Sequence, residues 1–363
     1  MSLTIGKYTV PYPLIQGGMG VRVSGANLAS AVARSGGIGL VATAALAVNS
    51  PHYNGRNYFT ADPLALKDEI DRARELAPDG VIGVNCMVAA TNYDDTIKAA
   101  CEFGAQIIVS GAGLPLNLPG LTTDYPDVAL VPIVSSVKAA ELIVRKWHKS
   151  FNRFPDAIVV EDPDTAGGHL GEKLENIGNG DYDQYETIRG VKAYLKEKWQ
   201  LDIPVIAAGG IWTRDDVEYA LEQGADGVQM ASRFVTTEEC DAADAFKQFY
   251  LDCKQEDIGL IMSPAGLPGR AIIKNFEKVK QRDIDQNVSC PSNCLRRCTY
   301  KQNRERFCIV HALDRAQRGD VETGIVFCGT NAWKADKIET VQDIFNELFA
   351  ANSGKAANEA VNQ

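Results

Sequence analysis

Residues 204–232 read PVIAAGGIWTRDDVEYALEQGADGVQMAS, and how this stretch divides decides the fold. PVIAA has the composition of a short buried strand, and it runs straight into Gly209 and Gly210. Two missing side chains let backbone N–H groups approach an anion closely, and phosphate sites in barrels commonly form after the seventh and eighth strands. Thr213, with Asp216 three residues on, is set to cap the next helix. Val217, Ala220 and Leu221 give that helix a buried face before Gly224 stops it. GVQMASRF then supplies a second strand and a second half-site, in which N–H groups around Met230, Ala231 and Ser232, with the Ser232 hydroxyl, complete a cradle. Paired glycines in isolation usually make only a tight turn. Two such sites on adjacent strands point to a phosphate, carried equally well by FMN or by a sugar phosphate.

Working outward, the first two thirds of the chain alternate short apolar runs with helical patterns, the signature of βα units and a parallel sheet. Strands are predicted to end near Gln16, Ala42, Asn85, Ser110, Val134, Glu161, Ala208 and Met230. Eight strands suit a closed barrel better than an open doubly wound sheet. Segments starting at Ala31, Ala99 and Ala220 repeat one pattern of helix end, Gly turn and buried strand, as a barrel built from repeated units would. The prediction is therefore an α/β protein, a (β/α)8 TIM barrel with a smaller, mainly helical inserted domain. Its parts are the barrel over 1–235, a helical and Cys-containing insertion over 236–320, a return to the barrel over 321–350, and a flexible tail over 351–363. Within 337–349, Ile338, Val341, Ile344, Phe345 and Leu348 have the helical period of a closing helix. Long loops at 49–61, with Tyr53, Tyr58 and Phe59, and at 170–186 are expected at the active-site end.

The composition, 45% apolar and 23% charged over 363 residues, is that of a globular protein with a sizeable core. A net charge of −10 disfavours nucleic acid and anionic lipid as partners. No apolar stretch is long enough to span a bilayer. MSLTIGKYTVPYP lacks the features of a secretory signal, so the mature protein is expected to start near Met1. Nine cysteines, an odd number, argue for a reducing compartment, and the expected location is the cytoplasm.

IQGGMG from Ile15, GVN from Gly83, SGAGLP from Ser110, AGGHLG from Ala166, AAGGI, GVQMASRF and SPAGLPGRAI from Ser263 together resemble the nitronate monooxygenase family, formerly 2-nitropropane dioxygenases. That family includes flavin-dependent enoyl-acyl-carrier-protein reductases and some NAD(P)H:quinone reductases. The resemblance implies FMN, with Gly17, Gly18 and Met19 near the isoalloxazine, Asn85 beside it, and Gly111 and Ala112 behind it. Glu161, Gly167 and Gly168 would line the ring or the ribityl chain. Gly210, Met230, Ala231 and Ser232 would hold the phosphate, with Gly209 and Gln229 beside them. Ala231 departs from many relatives, which have Gly there.

Of four histidines, only His169 follows a strand within a glycine frame, TAGGHLG, which would expose its ring above the barrel mouth. Imidazole titrates near neutral pH and suits a general acid or base. By resemblance, His169 is the catalytic histidine. His52, His148 and His311 have no comparable setting.

Cys290, Cys294, Cys298 and Cys308 follow a C-x3-C-x3-C-x9-C spacing. Pro291 suits the first turn of a helix, whose four-residue steps would align three sulfurs. Arg296, Arg297, Lys301, Arg304 and Arg306, against the single acid Glu305, would favour thiolates. These residues are a candidate zinc or iron–sulfur site, although the spacing matches neither common zinc ribbons nor bacterial ferredoxins. The competing reading is reduced cysteines packing a subdomain, with the basic residues meeting an anionic substrate tail or the NADPH phosphate.

The function expected from these readings is an FMN-dependent oxidoreductase of a small-molecule substrate, an alkyl nitronate oxidised with O2. The alternative is a reductase fed by NAD(P)H that acts on an enoyl-acyl-carrier-protein or a quinone. A third possibility, from another class, is a non-catalytic flavin-binding module. A homodimer is compatible with all three.

Overall fold

The computed structural model describes residues 2–285, 290, 292–302 and 307–349. The tail 351–363 and the residues Pro291, Arg304, Glu305 and Arg306 lie outside the described residues.

The chain opens with a hairpin of β1 (Leu3–Ile5) and β2 (Tyr8–Val10). Barrel strands β3 (Leu14–Gln16), β4 (Ile38–Ala42), β5 (Val81–Met87), β6 (Ile107–Gly111), β7 (Ala129–Val134) and β8 (Ile158–Glu161) follow. A two-residue strand, β9 (Gly168–His169), precedes the last two barrel strands, β10 (Val205–Ala208) and β11 (Gly227–Met230). β11 pairs with β3 and β10 with β8, all in parallel, so eight strands close into the barrel expected from the sequence. Six predicted strand ends are met at the residue named, while β5 and β6 run on to Met87 and Gly111.

Period-two alternation divides each strand between two cores. Ile15, Leu40, Val109, Val131, Val159 and Ile206 fill the barrel, where Leu3, Ile5 and Val10 of the hairpin join them. Leu3 lies against Gly227, the first residue of β11, so the hairpin covers the amino ends of the strands. Leu14, Val41, Val84, Ile108, Val160 and Val228 face outward to the helices. The helix Arg214–Glu222 is capped as the sequence indicates, Thr213 and Asp216 exchanging side-chain and backbone hydrogen bonds.

After β11 the chain leaves the barrel. The excursion holds the helices Asp244–Leu251, Phe276–Asp285 and Ile309–Gln317 and, besides these, an antiparallel sheet of β12 (Ile258–Met262), β13 (Pro268–Ile272) and β14 (Val326–Phe327). β9 joins that sheet by pairing with β13, which stitches the loop after β8 to the excursion. The closing helix is Val341–Phe349, with Val341, Ile344, Phe345 and Leu348 buried. Ile338 precedes it and is exposed, so the apolar period began one turn too early. Buried Arg233 ties the end of β11 to this return: its guanidinium lies 3.0 Å from Glu339 and 2.6 Å from Glu347.

Candidate active site

A cavity of about 250 Å³ lies over the carboxyl ends of the barrel strands. Gly17, Gly18 and Met19 follow β3, Asn85 lies in β5, and Gly111 and Ala112 close β6. Glu161 ends β8, Gly167, Gly168 and His169 come from the loop and strand beyond it, and Gly209 and Gly210 follow β10. Gln229, Met230, Ala231 and Ser232 complete the wall at the end of β11. Every one of these residues was nominated from sequence, and the barrel brings them all to one hollow.

The bare backbone is a steric requirement at two places. A Cβ on Gly18 would overlap the Asn85 side chain. Gly209 and Gly210 sit at φ +104° and +70°, where L side chains are strained, and a Cβ on either would press on Thr165. Gln229 Oε1 is buried without a partner among the described residues, so it is free to meet a donor of a bound group. A flat heteroaromatic ring against Gly17 and Gly18, with a phosphate at Gly210 and Ser232, fits these features.

Sequence reasoning missed a third wall. Cys328, Gly329, Thr330 and Asn331, just after β14, line the cavity beside the loops that follow β10 and β11. The Gly329 N–H donates to the Ser232 hydroxyl at 2.8 Å, Asn331 Nδ2 donates to the Gly210 carbonyl at 2.6 Å, and the Thr330 N–H donates to Thr165 at 3.0 Å. The only signal for it was a glycine after a short apolar run. Leu295, Ile309, Val310, Leu313 and Phe327 add an apolar flank from the excursion. The loops 49–61 and 170–186 do not line the cavity: Tyr58 is buried in the excursion's core and Phe59 faces solvent.

Burial sets the charge states. It pushes the Glu161 carboxyl up to about 7, with Asp162 adding to the rise and Arg270 opposing it. Arg270 is itself buried and donates to the carbonyls of Pro163 and Ala166, which holds the loop ahead of the glycine frame. Burial also lowers the His169 imidazole to about 4, so it is neutral at physiological pH rather than poised near its ordinary value. Its ring is not raised freely above the mouth. β9 pairs Gly269 with His169, Phe327 stands edge-on at 5.1 Å, and Nε2 lies 2.7 Å from the Ser263 hydroxyl. Of the other histidines, His52 pairs with Asp68, His148 packs against Phe154 and Trp199, and His311 lies on the helix Ile309–Gln317; none lines the cavity.

The cysteine segment departs from expectation. Residues 292–302 carry no helix. Their backbone is spent elsewhere: Arg296 N–H donates to Ala89, Thr299 N–H donates to Pro264, and the Cys294 carbonyl accepts from Thr91. Among the described residues no group of three or more His, Cys, Asp or Glu side chains is arranged to hold a metal ion. Cys294, Cys298 and Cys308 pack instead with Leu295, Phe307 and Ile309. Burial pushes Cys294 up to about 12, with Lys301 opposing, and Cys308 up to about 11, and Cys290 adds to the rise in both. Arg296 is engaged with Asp94 and Lys301 with Asn293.

No helix among the described residues is long and apolar enough to cross a membrane. The chain is 26% identical over 310 residues to a probable nitronate monooxygenase of Bacillus subtilis, a match covering 78% of this chain and 83% of the relative. It is 27% identical over 263 residues to a Mycobacterium tuberculosis protein named (3aS,4S,5R,7aS)-5-hydroxy-7a-methyl-1-oxo-octahydro-1H-indene-4-carboxyl-CoA dehydrogenase. That match covers 72% of this chain and spans only 63% of the relative's length. The fold superposes on that of FabK from Thermotoga maritima with a TM-score of 0.70 at 24% identity, covering 97% of this chain and 96% of the other. The sequence pattern of the nitronate monooxygenase family matches residues 1–351. A closed parallel barrel with the glycine-lined mouth just described is thus accompanied by a match across nearly the whole chain, and the protein belongs to the nitronate monooxygenase family of oxidoreductases.

Proposed function

We propose that this protein is an FMN-dependent oxidoreductase that oxidises alkyl nitronates with O2. The observation that carries the reading is that a double phosphate cradle, a glycine floor and a neutral histidine line one cavity. Gly210, Met230, Ala231 and Ser232 would hold the FMN phosphate, Gly209 leaving the approach clear. Gly17, Gly18 and Met19, with Asn85, Gln229, Gly111 and Ala112, would surround the ring. Glu161, Gly167 and Gly168 would line its polar side and the ribityl chain. When bound, the flavin supplies an electron acceptor that O2 can reoxidise.

The protein's own contribution is orientation and proton control. A nitronate arrives already deprotonated, so a neutral imidazole suits it: His169 offers a hydrogen bond to a nitronate oxygen without a strong base being needed. Glu161, neutral in part near pH 7, repels an anionic substrate less than an ordinary carboxylate would. The apolar residues Leu295, Ile309, Val310 and Leu313 exclude water from the far side.

That apolar flank also favours a second reading, in which NAD(P)H is the reductant and an enoyl thioester or a quinone the acceptor. The M. tuberculosis relative, whose name describes a CoA ester as substrate, supports it. Oxygen uptake with alkyl nitronate by the yellow, flavin-loaded protein tests the first reading. Rapid NAD(P)H oxidation with enoyl thioester or quinone, and no oxygen uptake with nitronate, would replace it with the second. Bound flavin with turnover in neither assay would favour a module that binds flavin without catalysis.

A further inference from the structure

The hydrogen bond between His169 and Ser263 has a direction. Ser263 follows β12, in a turn closed by its N–H donating to the Leu267 carbonyl at 3.0 Å, and its side chain is almost wholly buried. The Ala265 N–H donates to the Ser263 oxygen at 3.2 Å. One lone pair is thereby used, and the hydroxyl proton still needs an acceptor. Among the described residues, the acceptor within reach is His169 Nε2, at 2.7 Å. Were Nε2 protonated instead, the buried Ser263 O–H would have nowhere to donate, at a cost of about 1–3 kcal/mol.

We propose that Ser263 is a positioning residue, whose hydroxyl donates to His169 Nε2 and so fixes the imidazole as the tautomer with its proton on Nδ1. The frame is built to hold that state. β9 is locked to β13 through the Gly269 and His169 pair and the Leu170 N–H to Pro268 bond of 2.9 Å. Gly168, at φ +72°, gives the turn that aims the ring, and Phe327 limits its rotation. Nδ1 has no partner among the described residues, and His169 lines the cavity. The nitrogen offered to a ligand is therefore a donor, which suits a substrate oxygen carrying negative charge and not a proton to be removed from carbon. The consequence for turnover rests on the function proposed above; the tautomer does not.

Ring-nitrogen NMR shifts of the histidines in the flavin-loaded protein near neutral pH test this, with the His169 signals identified by their loss in His169→Asn. A pyrrole-type Nδ1 with a pyridine-type Nε2 is expected. A pyrrole-type Nε2 in the unaltered protein overturns the proposal, whatever the substrate proves to be. In Ser263→Ala the tautomers should mix and kcat should fall about 10- to 100-fold with KM little changed, because the donor is displaced and not the binding wall. Ser263→Thr, which keeps the hydroxyl, should restore the single tautomer and most of kcat. Ser263→Ala with its shifts unchanged would likewise overturn it.

Discussion

The Gly329 N–H sits 2.8 Å from the Ser232 hydroxyl oxygen, joining a loop from beyond the excursion to the proposed phosphate half-site after the last barrel strand. The contact spans 97 residues of sequence and makes one clamp from two segments. Ser232→Ala should leave the Gly329 N–H unpaired and weaken flavin retention by about 1–3 kcal/mol, roughly a 5- to 150-fold rise in Kd. Flavin release on dilution measures it, and unchanged retention would show that the clamp does not serve the phosphate.

Gly18→Ala tests the ring site separately. Its methyl would overlap Asn85, in the cavity wall and away from the helix-packing core. The expected outcome is a folded, colourless protein: circular dichroism retained, flavin absorption lost. Retained colour would argue that the ring lies elsewhere.

Glu161 gives a pH dependence with a definite sign. Its carboxyl is raised to about 7, so it is neutral below that value and anionic above it. KM for an anionic nitronate should therefore climb as the pH rises through about 7, and Glu161→Gln should flatten the profile. A profile of the same shape in the variant would assign the titration to another group.

His169→Asn should lower turnover by about 10²- to 10³-fold while flavin stays bound. Stability changes with pH as well. The folded-state value, about 4, lies below the ordinary 6.5, so the folded protein resists taking up this proton. Its contribution is present above the ordinary value and is lost as the pH falls from 6.5 toward 4. Denaturation midpoints measured over that range should fall less steeply for the variant.

Asp241 caps a helix from far away in sequence. Its carboxylate accepts from the N–H groups of Gly25, Asn27 and Leu28 at the start of the helix Ala26–Arg34, while Glu69 takes that of Ala26. Asp241→Ala should cost about 1–2 kcal/mol, and Asp241→Asn, which keeps one acceptor, less. Burial raises this acid from 3.8 to about 6, so its own proton linkage favours the folded state below 3.8 and loses that benefit as the pH rises through 6. The margin of the unaltered protein over Asp241→Asn should accordingly be larger at pH 4 than at pH 7 in thermal melts.

Much of this was legible in the chain itself. Strand ends at Gln16, Ala42, Val134, Glu161, Ala208 and Met230, the capped helix after Thr213 and the glycines of both phosphate half-sites are local properties. Alternation, capping and left-handed turns are read within a few residues, and barrel closure then follows from repetition of the unit. The four-residue cysteine spacing suggested a helix that 292–302 do not form, because periodicity says nothing of competing partners. The backbone of 292–302 bonds to the loop after β5 and to Pro264, and those bonds replace the helix that would have aligned the sulfurs.

By itself, then, the sequence determined the barrel and the glycine-lined mouth, with His169 among the residues placed there. Tertiary structure alone decided what state those groups are in. The His169 partner is Ser263, 94 residues away, and the Ser232 partner is Gly329, because a strand of the excursion pairs with β9 and its neighbouring loop closes over the phosphate side. Burial and hydrogen-bond direction depend on which distant surfaces meet, and they set whether an imidazole is charged and which nitrogen holds its proton.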